Sequence, residues 1–111
     1  MEAISDMVIQ FSVSEVRQHL LEKGRVYTFR KDYRHTGLTW ANSGRGTKKL
    51  CEVVVTLVSP VTLRKGKSWM DKYVVDSGFL SVSDWLKAIE KVNGGSLPSK
   101  GYLYLVEKVN P

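Results

Sequence analysis

The stretch Gly24-Arg25-Val26-Tyr27-Thr28-Phe29-Arg30 joins a helix pattern to a strand pattern. Residues 13–23 before it carry Val13, Val16 and Leu20 at helical spacing. Gly24 stands where a glycine in the left-handed region ends a helix. The six residues after it alternate, so Val26, Thr28 and Arg30 share one face and Arg25, Tyr27 and Phe29 the other. A threonine hydroxyl and a guanidinium thus sit two residues apart on one surface. That pair suits a phosphate or the edge of a nucleobase.

Working outward, residues 7–11 read as a short first strand, and Ser12 with Glu15 matches a capping box at the start of the helix. Beyond the joint lies a polar, basic loop over residues 31–37, then a brief strand over 38–41. Residues 42–47 (Asn-Ser-Gly-Arg-Gly-Thr) are turn chemistry. Residues 50–58 form a β-branched run without clean alternation, which predicts a strand covered on both faces. Pro60 interrupts it, and residues 61–63 continue after a bend. Residues 64–67 are a second basic loop. Trp69, Met70, Tyr73 and Val74 predict a helical turn facing inward. Ser81 and Asp84 form a second capping box, Leu80 can staple to Trp85, and Trp85, Leu86, Ile89 and Val92 make a buried stripe. Gly94-Gly95 ends that helix, and residues 101–109 are the last strand. The order β-α-β-β-β-α-α-β predicts an α+β fold: a small mixed or antiparallel β-barrel with two to three helices packed around a cleft.

The chain has 111 residues, 42% of them hydrophobic, so a single domain over residues 1–111 with its own core is expected. One cysteine, Cys51, rules out an internal disulfide and any multi-cysteine zinc site, and its apolar neighbours predict a structural thiol. A lone thiol fits a reducing, cytoplasmic compartment. No apolar run reaches the roughly 20 residues that cross a bilayer. Met1-Glu2-Ala3-Ile4-Ser5-Asp6 is acidic where a signal peptide is basic, so a cytoplasmic protein without membrane contact is expected. The net charge of +6 points to phosphate-bearing partners.

Several motifs stand in a particular order. Tyr27-Thr28-Phe29-Arg30 is a Thr-x-Arg strand after a glycine-ended helix. A turn with Gly37 leads into strands. Ser77-Gly78-Phe79-Leu80-Ser81 precedes Asp84-Trp85-Leu86, and Tyr102-Leu103-Tyr104-Leu105-Val106 closes the chain. Over nearly its whole length this pattern resembles the ASCH domain, a branch of the PUA-like superfamily. The resemblance implies a small β-barrel with helices around a cleft that binds RNA or nucleotides. Some bacterial members look like amidohydrolases acting on N4-acetylcytidine, and nuclease activity has been linked to others. The hydrolase type uses a lysine just after the glycine, a threonine three residues later and a glutamate before the second helix. Thr28 matches that threonine and Arg30 the strand arginine. The lysine position falls on Arg25 and the glutamate position on Ser77 or Gly78, with Asp76 the nearest carboxylate. Near neutral pH an arginine stays protonated where a lysine can serve as base, and hydrolysis needs a group to move protons. The resemblance therefore implies retained binding and an altered catalytic set, with Arg25, Thr28 and Asp76 the candidates for any chemistry.

The expected cleft is walled by Arg25, Thr28 and Arg30, with Ser77 and Gly78 opposite. Lys23, Tyr33, Arg34, Arg45, Lys48, Lys65 and Lys67 would be outer contacts tracking phosphates, with Tyr33 exposed to stack on an unpaired base. Arg30 has a structural reading too, an ion pair with Asp76 or Glu52. His19 and His35 have no ligand partner at useful spacing, so no metal and no cofactor is expected. The expected function is an RNA- or nucleotide-binding module, monomeric in the simplest case. Its rivals are a hydrolase acting on a modified nucleoside or on RNA, and a module whose basic surface meets acidic proteins.

Overall fold

At the joint, Gly24 takes φ 84° and its N–H donates to Leu20 O at 2.9 Å, ending helix α1 (Ser14–Lys23) and releasing the chain into strand β2 (Arg25–Arg30). The structure is a computed structural model that describes residues 8–44, 48–63 and 69–109. β1 is Ile9–Gln10, β3 is Gly37–Asn42, β4 is Lys49–Thr62 and β5 is Lys100–Lys108; α2 is Trp69–Tyr73 and α3 is Val82–Val92. A single 3-10 turn, Val74–Asp76, continues α2.

The five strands form one sheet in the order β1-β3-β4-β5-β2. β1 pairs with β3 in parallel, through Ile9 with Ala41 and Gln10 with Asn42, and every other pairing is antiparallel. The sheet curls into half a barrel, leaving β1 and β2 as its two edges.

Alternation along β2 sorts the interior into two cores. Val26 joins Leu20 of α1 and Val53, Val55, Tyr104 and Val106 of the sheet. Phe29 belongs to the second, with Leu63, Met70, Trp85, Ile89 and Leu103, and Tyr27 packs against it. Phe79 touches both. As expected, Trp69, Tyr73 and Val74 pack inward with Met70.

Five local expectations are corrected. The helix starts after Val13, whose backbone is extended and makes no side-chain cap, so Ser12 and Glu15 form no capping box. Val13 packs against the first core, and Arg17 instead ties down the segment before the helix, its guanidinium donating to Phe11 O at 2.9 Å. Residues 50–58 are not covered on both faces. Val53 and Val55 are buried while Glu52, Val54 and Thr56 are exposed, because that side of the antiparallel sheet faces water. The strand continues past Pro60 to Thr62 as expected, but Pro60 does not interrupt it: Pro60 pairs with Tyr102, and the shift in pairing to β5 falls earlier, between Leu57 and Ser59. On α3, Ser81 Oγ accepts from the Asp84 N–H at 3.1 Å as a cap should, but Leu80 is 98% exposed and staples nothing, and Val92 is 56% exposed. Gly78, at φ 91°, turns the chain so that Phe79 takes the inward place, and Trp85 meets Trp69 edge-on at 5.7 Å.

Among the described residues, no helix is long and apolar enough to cross a membrane. Cys51 is half-buried against the first core, and that burial pushes its thiol pKa up.

Candidate functional site: a cleft at the seam of the half-barrel

The end of β2 and the chain around β1 face each other across the open seam. Between them lies a cleft of about 570 Å³. Thr28, Arg30, Lys31, Asp32 and Arg34 line one side, Gln10, Phe11 and Ser12 another, and Phe79, Trp85, Ile89 and Asn93 add a largely apolar wall. The volume falls in the range that holds a small organic ligand.

Arg30 is the centre of this site. Its Nε donates to Thr28 Oγ1 at 3.3 Å, and one terminal nitrogen donates to the carbonyl of Gln10 at 2.9 Å. The guanidinium carbon lies 5.0 Å from the centre of the Phe11 ring. Among the described residues, no carboxylate lies within ion-pair distance of it, so the pairing with Asp76 or Glu52 weighed above is not formed. The residue is half-buried, but its head sits inside the cleft. Loss of water, and next the charge of Arg34, lower its pKa to about 10, with Tyr104 opposing them.

Arg34 reaches the cleft because its loop is pinned. Its backbone N–H donates to the Tyr104 hydroxyl at 2.6 Å, and that hydroxyl donates to the carbonyl of Arg34 at 3.4 Å. The Tyr104 ring is fully buried, and burial pushes its phenol pKa up, so it stays a neutral donor.

A second polar group lies at the other end of β2. His19 Nε2 is 3.0 Å from Asp76 Oδ1, and Arg25 Nε is 3.7 Å from Asp76 Oδ2. A terminal nitrogen of Arg25 donates to the Tyr27 hydroxyl at 2.9 Å, and Tyr27 packs on Tyr73 at 4.7 Å. Five residues of extended chain, about 17 Å, separate Arg25 from Arg30, and strand alternation puts them on opposite faces.

The residues expected to act together are thus distributed. Thr28, Arg30 and Arg34 meet in the cleft, while Arg25 and Asp76 meet each other elsewhere. Ser77 is fully buried, its Oγ donating to Val74 O at 2.7 Å and accepting from the Phe79 N–H at 3.1 Å. Gly78 packs on α1, where an added Cβ would stand 2.9 Å from Glu15 O. These two shape a turn, and it is the next residue, Phe79, that faces the cleft. Lys23 is exposed in the last turn of α1, Lys48 is exposed just before β4, and Tyr33 is exposed beside Tyr102. Arg45, Lys65 and Lys67 lie outside the described residues.

Sequence reasoning missed Gln10, Phe11, Asp32, Trp85 and Asn93 as cleft residues, and the His19–Asp76 pair, which spans 57 positions. Gln10 enters through a backbone carbonyl, which carries no sequence signal. Among the described residues, no three His, Cys, Asp or Glu side chains gather to hold a metal ion. No family model, curated protein or solved structure matches this chain.

Proposed function

We propose that the cleft binds a nucleotide-like anion, as a module of PUA-like, ASCH-like type that recognises RNA or nucleotides in the cytoplasm. The observation that carries this reading is Arg30: a desolvated cation that no carboxylate among the described residues reaches at ion-pair distance, although Asp32 also lines the cleft, beside a second cation and facing an aromatic wall. A desolvated charge whose hydrogen-bond partners among the described residues are neutral oxygens is incompletely compensated, and an incoming phosphate supplies countercharge. Arg30 and Arg34 then hold the phosphate, Thr28 orients the guanidinium, and a base lies along Phe79 and Trp85. The order of elements and the Thr28-x-Arg30 strand support the same assignment. Asp76 is held by His19 and Arg25 at the far end of β2, which favours binding over turnover.

Calorimetric titration with cytidine 5′-monophosphate and with cytidine tests this reading. The monophosphate is expected to bind, cytidine at least about tenfold more weakly, and Arg30→Met to remove the difference, since a charge-assisted pair is lost. Equal affinity of the wild type for both compounds would exclude Arg30 as a phosphate ligand.

A further inference from the structure

Resting on the cleft reading, we infer that Tyr33 is a second base position, and that the ligand is an unpaired oligonucleotide running from the cleft onto this ring. Residues 31–36 are all exposed, yet the loop is anchored through both backbone groups of Arg34 on the Tyr104 hydroxyl. Tyr33 itself is held edge-on to Tyr102, with centroids 5.7 Å apart at 88°, and lies 6.4 Å from Tyr104. Despite these two contacts, 58% of the residue remains exposed. Tyr33 is thus a fixed ring open to solvent, so little side-chain freedom is lost when something stacks on it.

Its position gives the ring a direction. Asp32 and Arg34, its neighbours on either side, both line the cleft, as does Lys31. A strand whose one nucleotide occupies the cleft leaves it past two cations, Lys31 and Arg34, and one carboxylate, Asp32, and meets Tyr33 next. Cations that follow a backbone, beside an aromatic face that takes a base, are the two parts of single-strand recognition. A base stacks on any aromatic face, so this position adds affinity with little sequence preference.

The test compares cytidine 5′-monophosphate with hexacytidylate on the wild type, Tyr33→Ala and Tyr33→Phe. The hexamer is expected to bind the wild type at least about tenfold tighter than the monophosphate. Tyr33→Ala should lose about tenfold on the hexamer, the order expected for one stacked base. It should leave the monophosphate unchanged, and Tyr33→Phe should keep both affinities. A hexamer no tighter than the monophosphate overturns the inference and leaves the cleft reading standing. So does a Tyr33→Ala protein that weakens both ligands alike, because that is a loop held in shape and not a stacking site. Failure of the wild type to bind either ligand removes the cleft reading and this inference with it.

Discussion

Two donors of Arg30 are taken by neutral oxygens, Thr28 Oγ1 and the Gln10 carbonyl, and neither cancels its charge. Its pKa of about 10 sets a pH signature. The sign follows from linkage: a cation whose folded value lies below its ordinary one loses its proton first in the folded protein. Above pH 10 the folded state therefore holds fewer protons at this group than the unfolded chain. The group's contribution to stability rises through that window, up to the ordinary arginine range. The proposed anion binding would run the opposite way, because it needs the charge. Affinity for cytidine 5′-monophosphate should stay level from about pH 7 to about pH 9 and fall as pH passes about 10. The Arg30-dependent part of that fall should be absent in Arg30→Met, and calorimetry across the range checks it. At this scale the sequence was informative but incomplete. Thr28 and Arg30 sit on one face because strand alternation is a local rule, legible from six residues. Arg30's dependence on Gln10 was not legible, because a carbonyl twenty residues away depends on how the sheet curls.

At the scale of elements, the turn from the 3-10 helix into α3 does more than connect. Ser77 ties its two sides together, and Gly78 lets it lie against α1. A side chain at position 78 meets both a left-handed φ of 91° and the backbone of Glu15 and Val16. Gly78→Ala should therefore destabilise the fold by about 2–3 kcal/mol, read as a lowered midpoint in urea unfolding. Ser81→Ala removes the cap on α3 and should cost about 1 kcal/mol by the same measurement. Because Trp85 and Ile89 of that helix line the cleft, the change should also weaken the ligand slightly. The helix start at Ser81 was legible from its spacing to Asp84. The staple was not: Leu80 and Phe79 are both large and apolar, and only the φ of Gly78 decides which of them points inward.

Over the whole molecule, the succession of elements was legible almost throughout, because helix and strand periods differ and glycine marks their ends. Alternation already put Arg25 and Arg30 on opposite faces, yet the sequence reading grouped them on one cleft wall with Ser77 opposite, and the structure does not form that grouping. The curl of the sheet and the pairing of His19 with Asp76 decide where Arg25 goes, and both are long-range. The separation gives a clean comparison. Asp76→Asn should leave cleft affinity within about twofold of wild type while lowering stability by about 1 kcal/mol, since it breaks a partly exposed charged pair. If the hexamer's backbone contacts Arg30, Lys31 and Arg34, the logarithm of its affinity should fall against the logarithm of salt with a slope of about −2, from about 0.7 per phosphate. Titrations at several salt concentrations measure it.

Among the described residues β1 and β2 are the edges of one curled sheet, and the Arg30 side chain reaches from one to the other. The same guanidinium is thus a clasp across an opening and, on the proposed reading, the grip offered to a ligand. A phosphate that draws it inward does so against the hold on Gln10. On the proposed reading, a bound phosphate and the Gln10 carbonyl compete for one guanidinium, so the ligand grip and the clasp between the two edges share a single side chain.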